Sequence, residues 1–107
     1  MTLNDYQHDA MQLAFYPNRG EGDLTYPVLG LVGEAGEVAE KLKKKLRDGV
    51  PENWRTDMGR EIGDVLWYVA AIADELGFTL ADIAAMNLVK LNSRKSRDAL
   101  SGSGDYR

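Results

Sequence analysis

At 107 residues the chain has room for one domain with a core, near the lower end of comfortable size. Its 44% apolar and 28% charged residues are those of a soluble protein, and a net charge of −4 argues against a general nucleic-acid binder. The absence of cysteine removes disulfides, zinc–thiolate sites and thiol catalysis, and nothing approaches a membrane span or a leader, so the expected setting is cytoplasmic, with no membrane partner.

Leu3 to about Phe15 reads as a first helix, with Leu3, Tyr6, Ala10 and Leu13 on one face, and Pro17 ends it. A polar, glycine-containing loop spans Asn18 to Asp23. The second helix starts near Thr25, with Pro27 in its first turn, and stops at Asp48-Gly49. Its expected core stripe is Val28, Val32, Ala35, Ala39, Leu42 and Leu46. The third runs from roughly Asn53 to Leu76 and is closed by Gly77; Met58, Ile62, Val65, Leu66, Val69, Ala73 and Leu76 form its apolar face. Thr79 and Asp82 resemble a capping box and open a fourth helix that reaches about Arg94. The glycine-rich tail from Ser101 to Arg107 reads as irregular and flexible. With no period-two alternation, the expectation is one all-α domain, a four-helix bundle with its helical core at about 3–95.

Two acidic spacings stand out: Glu34-Ala35-Gly36-Glu37 and, on the next helix, Glu61-Ile62-Gly63-Asp64. Residues three apart share a helix face, about 4.5 Å apart along the axis. Both pairs fall at the edge of an apolar arc, where a side chain can reach a neighbouring helix. Four converging carboxylates repel and lose solvation, which points to a hard cation such as Mg²⁺, with Mn²⁺ as a substitute. The plain alternative is a solvated Glu/Lys surface, since Glu37–Lys41 and Glu40–Lys44 have favourable i, i+4 spacing. Gly30, Gly33 and Gly36 leave the backbone bare beside the first pair, for close helix packing or for a flat ligand.

The runs Leu29-Gly-Leu-Val-Gly-Glu-Ala-Gly-Glu-Val-Ala-Glu40 and Glu61-Ile-Gly-Asp-Val-Leu-Trp-Tyr68 resemble the two motifs of MazG-like nucleotide pyrophosphohydrolases, within the all-α NTP pyrophosphatase group. The similarity spans roughly Tyr26 to Arg94. It implies a helical bundle assembling as a dimer or a dimer of dimers, and Mg²⁺-dependent hydrolysis of (deoxy)nucleoside triphosphates to monophosphate and pyrophosphate. It also implies Glu34, Glu37, Glu61 and Asp64 as metal ligands, with Glu37 or Glu34 orienting water or accepting its proton. Many relatives begin the first motif with two adjacent glutamates, whereas Gly33 stands at the earlier position here, as in the dCTP pyrophosphatase branch.

Cations must meet the remaining phosphate charge of such a substrate: Lys41 lies on the acidic side of the second helix, while Asn87, Lys90 and Arg94 follow one another on the fourth. The resemblance implies that this last helix supplies a basic residue to the phosphates and an amide to the base or sugar, and that Tyr68 flanks the nucleotide. Trp54, Trp67 and Tyr26 are further aromatic candidates for a base slot, with core or interface packing as the leading alternative for each. Competing expectations are a phosphoribosyl-ATP pyrophosphohydrolase and a non-catalytic helical oligomerisation or regulatory module.

Overall fold

The computed structural model describes residues 1–96, so the tail expected to be irregular lies outside the described residues. Four helices and no strand are found among them: α1 (Leu3–Met11), α2 (Thr25–Asp48), α3 (Trp54–Glu75) and α4 (Leu80–Ser96). Among the described residues no helix is long and apolar enough to cross a membrane.

Local chemistry accounts for the helix ends. The Thr2 hydroxyl accepts from the Asp5 N–H and the Asp5 carboxylate accepts from the Thr2 N–H, both at 3.0 Å. The box expected at α4 is formed the same way by Thr79 and Asp82, again at 3.0 Å in both directions. Gly49 and Gly77, just past α2 and α3, have φ of +89° and +80°, a region only glycine enters without steric cost. Helix α1 is shorter than its apolar spacing suggests. The N–H groups of Leu13 and Ala14 bond back three residues, to Ala10 and Met11, tightening the chain into a turn that delivers Tyr16 to the interior.

Helix α3 is the axis of the fold. Helix α2 packs along α3 alone, and no Cα of α2 comes within 8 Å of one in α1 or α4. Helices α1 and α4 pack on each other and on α3. The four-helix bundle is therefore open, and its radius of gyration of 16.5 Å exceeds the roughly 13 Å of a compact chain this long. The buried core is small and alanine-rich: Ala10, Met11 and Ala14 meet Ala70, Ala71 and Ala73 of α3, with Tyr16 and Leu80 closing the sides.

Helix α2 differs most from its sequence pattern. Val32 and Leu46 of the expected core stripe are 65% and 80% exposed. The half-buried face is instead Leu31, Glu34, Val38, Lys41 and Lys45, the same seven-residue rhythm one position earlier. One residue is 100° of helix rotation, so the acidic edge of the arc has become the seam against α3 and the apolar stripe faces outward.

Buried polar groups hold the far end of the fold together. Gln7 is 6% exposed; its amide nitrogen donates to the carbonyls of Ala70 and Phe78, and its oxygen accepts from the Leu80 N–H. Its bonds to the Phe78 carbonyl and the Leu80 N–H satisfy backbone groups at the α3–α4 turn that neither helix pairs internally. Glu75, whose side chain is fully enclosed, accepts from the Gly20 N–H and from Arg19, while Arg19 also reaches Asp74 at 2.8 Å. These bonds clasp the α1–α2 loop to the end of α3. Gln7→Ala is expected to lower unfolding stability by roughly 2–3 kcal/mol, because it strands a buried N–H. Urea denaturation with an unchanged m-value checks this.

Candidate metal centre in the α2–α3 seam

The rotation of α2 brings the two acidic spacings together. One carboxylate oxygen each from Glu34, Glu61 and Asp64 lies within 4.8 Å of the other two. Oxygens around an octahedral Mg²⁺ at 2.0–2.1 Å are roughly 3.0 Å apart as neighbours and 4.2 Å apart across the ion. A three-oxygen set of this chemistry and spacing therefore fits a hard divalent cation after small side-chain adjustments. Glu37, the fourth expected ligand, is exposed and outside this trio, although its charge is felt at Glu34.

The electrostatics are those of like charges held together. Burial, then the charges of Asp64, Glu61 and Glu37, pushes the Glu34 carboxyl above its ordinary value. Lys41 offsets part of the repulsion from two turns beyond Glu34 on α2, its Nζ 3.7 Å from a Glu61 oxygen. This pairing occupies Lys41 with a carboxylate, whereas the sequence singled it out for phosphate.

An aromatic wall closes one end. Glu34, Asp64, Trp67 and Tyr68 line an open depression of about 320 Å³. Tyr68 meets the edge of Trp67 at 5.1 Å; Trp67 meets Tyr16 at 6.4 Å; Tyr16 stacks on Tyr26 at 5.4 Å, with the two planes 3° apart. Burial, followed by Tyr26, Glu34 and Asp64, holds the Tyr68 phenol above its usual range. Gly30 makes the wall possible. A Cβ there would lie 2.2 Å from the Tyr68 ring, whereas Gly33 and Gly36 face open space. Of the two readings of these glycines, close packing holds for Gly30 alone.

One neighbour of the trio carried no sequence signal of its role. Tyr6 of α1 is half-buried and its phenol is raised, first by burial and then by the Asp64 charge. Trp67, one turn past Asp64 and one of the aromatic candidates for a base slot, lines the depression. Helix α4 does not reach the trio by way of α2. Asn87 and Lys90 are exposed on it, and Arg94 is buried with its Nε lacking a hydrogen-bond partner among the described residues. Trp54 sits at the opposite end of the seam under Lys45, whose Nζ is 4.1 Å from the ring centre.

Residues 25–97, most of the chain, match the family described as the MazG nucleotide pyrophosphohydrolase domain. The chain belongs to the MazG family. Among curated proteins, the Gene 37 protein of Mycobacterium phage L5 is 46% identical over an alignment spanning the whole of both chains, and its name gives no activity. No solved structure gives a significant match. The matched residues include the whole α2–α3 seam, with Glu34 on one helix and Glu61 and Asp64 on the other.

Two outcomes are expected. Gly30→Ala, which must drive the Tyr68 ring from its place, should lower stability by about 1–3 kcal/mol. Gly59→Ala, where nothing lies within 4 Å, should raise it by up to about 1 kcal/mol. Paired thermal denaturation curves distinguish them. The raised Glu34 carboxyl favours the folded chain below its ordinary 4.5 and loses that advantage as pH rises through the raised value. In EDTA at neutral pH, Glu34→Gln should therefore melt above the wild-type chain, and the difference should vanish as the pH falls towards 4. A variant that melts lower at neutral pH would contradict the repulsion.

Proposed function

We propose that the chain hydrolyses (deoxy)nucleoside triphosphates to the monophosphate and pyrophosphate with Mg²⁺ as cofactor, Mn²⁺ being a substitute. The convergence of Glu34, Glu61 and Asp64 within 4.8 Å carries this reading, in a family defined by nucleotide pyrophosphohydrolysis. The reaction consumes one water and breaks the anhydride between the α- and β-phosphates. A divalent cation supplies charge neutralisation at phosphate oxygens and a more acidic bound water.

The chain's own residues would divide the remaining work. Glu34, Glu61 and Asp64 hold the cation. Glu37, exposed beside the trio, or Glu34 itself orients the water and accepts its proton. Tyr68 and Trp67 flank the nucleotide in the depression they line with Glu34 and Asp64. Lys41 stands at the phosphates, where cationic groups stabilise developing charge.

The same reading includes a homo-oligomer, a dimer or tetramer. The outward stripe of α2, with Val32 and Leu46 largely bare, supports it, because a long apolar helix face is costly to leave in water. Asn87 and Lys90 are exposed on an α4 that stays clear of the same chain's α2, so a neighbouring copy is their route to the substrate. The physiological role would be cleaning or supplying the nucleotide pool in the cytoplasm.

A panel of all common (d)NTPs with product identification tests the activity. Pyrophosphate should appear with at least one nucleotide and Mg²⁺, and stop on adding EDTA. Glu61→Gln should reduce turnover at least about 100-fold with helical content unchanged by circular dichroism. Turnover retained in that variant would reject the carboxylate assignment.

A further inference from the structure

Among the described residues, Lys41 is the cation paired with the carboxylate trio. It comes from the same face of α2 as Glu34, two turns further on, and crosses the seam to Glu61 with its Nζ 3.7 Å from Oε1. Both side chains are partly shielded, at 33% and 20% exposure, so the pair is less screened than an exposed one. Three carboxylates and one ammonium leave a residual charge of −2, which a divalent cation neutralises. A cation entering between Glu34, Glu61 and Asp64 would compete for Glu61, since one carboxylate cannot serve an ion and an ammonium equally well. It would also repel the ammonium directly.

We propose that Lys41 is the resident counter-ion of the seam, displaced from Glu61 when a divalent cation is bound. The inference rests on the divalent site proposed above. The metal-free chain keeps its acidic seam closed by means of Lys41, and cation entry exchanges one positive group for another. The displaced ammonium has room. The lysine also lines an open pocket of about 340 Å³ at the α2–α3 turn, together with Lys44, Lys45, Trp54 and Asp57. Its release leaves an unpaired positive charge on α2 two turns beyond Glu34, available to an anionic phosphate.

The test is Mg²⁺ titration by calorimetry on the full chain without nucleotide, comparing wild type with Lys41→Met and Lys44→Met. Methionine keeps a long stem and removes the charge. Lys44, exposed and one turn from Lys41, controls for the general field. Lys41→Met should bind Mg²⁺ about five-fold more tightly, the equivalent of losing a competing ion pair at the upper end of the exposed range. In EDTA it should melt below wild type, and on saturation with Mg²⁺ it should gain more in melting temperature. Lys44→Met should bind Mg²⁺ nearly as wild type does. Unchanged or weaker binding by Lys41→Met would overturn the exchange, weaker binding meaning that the lysine orients Glu61 for the cation. Equal tightening by both variants would reduce the effect to net charge and overturn it too. A wild-type chain that binds neither Mg²⁺ nor Mn²⁺ removes the divalent site itself, and this inference with it.

Discussion

Like charge confined in a half-dry seam is the constraint on which the other features turn. Glu34 faces Glu61 and Asp64 across two long antiparallel helices, and partial burial there strengthens the repulsion between them. A hydrophobic seam would close on its own; this one needs contacts that hold the helices together despite the charge. Gly30 supplies one, by letting the Tyr68 ring lie against the α2 backbone. Lys41 supplies another through Glu61. They lie on either side of Glu34 along α2, so the carboxylates are positioned from both ends.

The rest of the fold serves to fix α3. Its C-terminal half is anchored in the alanine-rich core shared with α1 and α4, and Gln7 and Glu75 satisfy backbone groups at that end. The Tyr16–Trp67 contact carries that rigidity towards the depression. Helix α2 has no comparable anchorage. Beyond the stacking of Tyr26 on Tyr16 at its first turn, it rests among the described helices on α3 alone and keeps an apolar stripe outside, which supports the proposed assembly with further copies. In such an assembly the outward stripe would be buried.

Much of this was legible in the sequence. The four helices, the Thr79–Asp82 box and the glycine stops followed from local chemistry, which acts over a few residues. The pairing of the two acidic spacings was legible because residues three apart must share a face. The orientation of α2 was not. Val28 through Leu46 form the more apolar stripe, and periodicity alone assigns such a stripe to the interior of one chain. It cannot distinguish a core within the chain from a surface meant for another copy. Tyr6 was equally silent, since its approach to Asp64 depends on how α1 packs against α3 and not on any local pattern. Glu37 has the right spacing and sits one turn from Glu34, yet it stays outside the trio because the seam turns that position towards solvent.

The carboxylate trio as a divalent-cation site is the centre of the functional reading. Anomalous diffraction from crystals grown with Mn²⁺ tests it most directly, because the ion reports its own position independently of activity. The expected result is a strong peak bracketed by Glu34, Glu61 and Asp64 at ordinary coordination distance. An empty trio, with the carboxylates splayed apart or with Mn²⁺ bound only elsewhere on the chain, would contradict it.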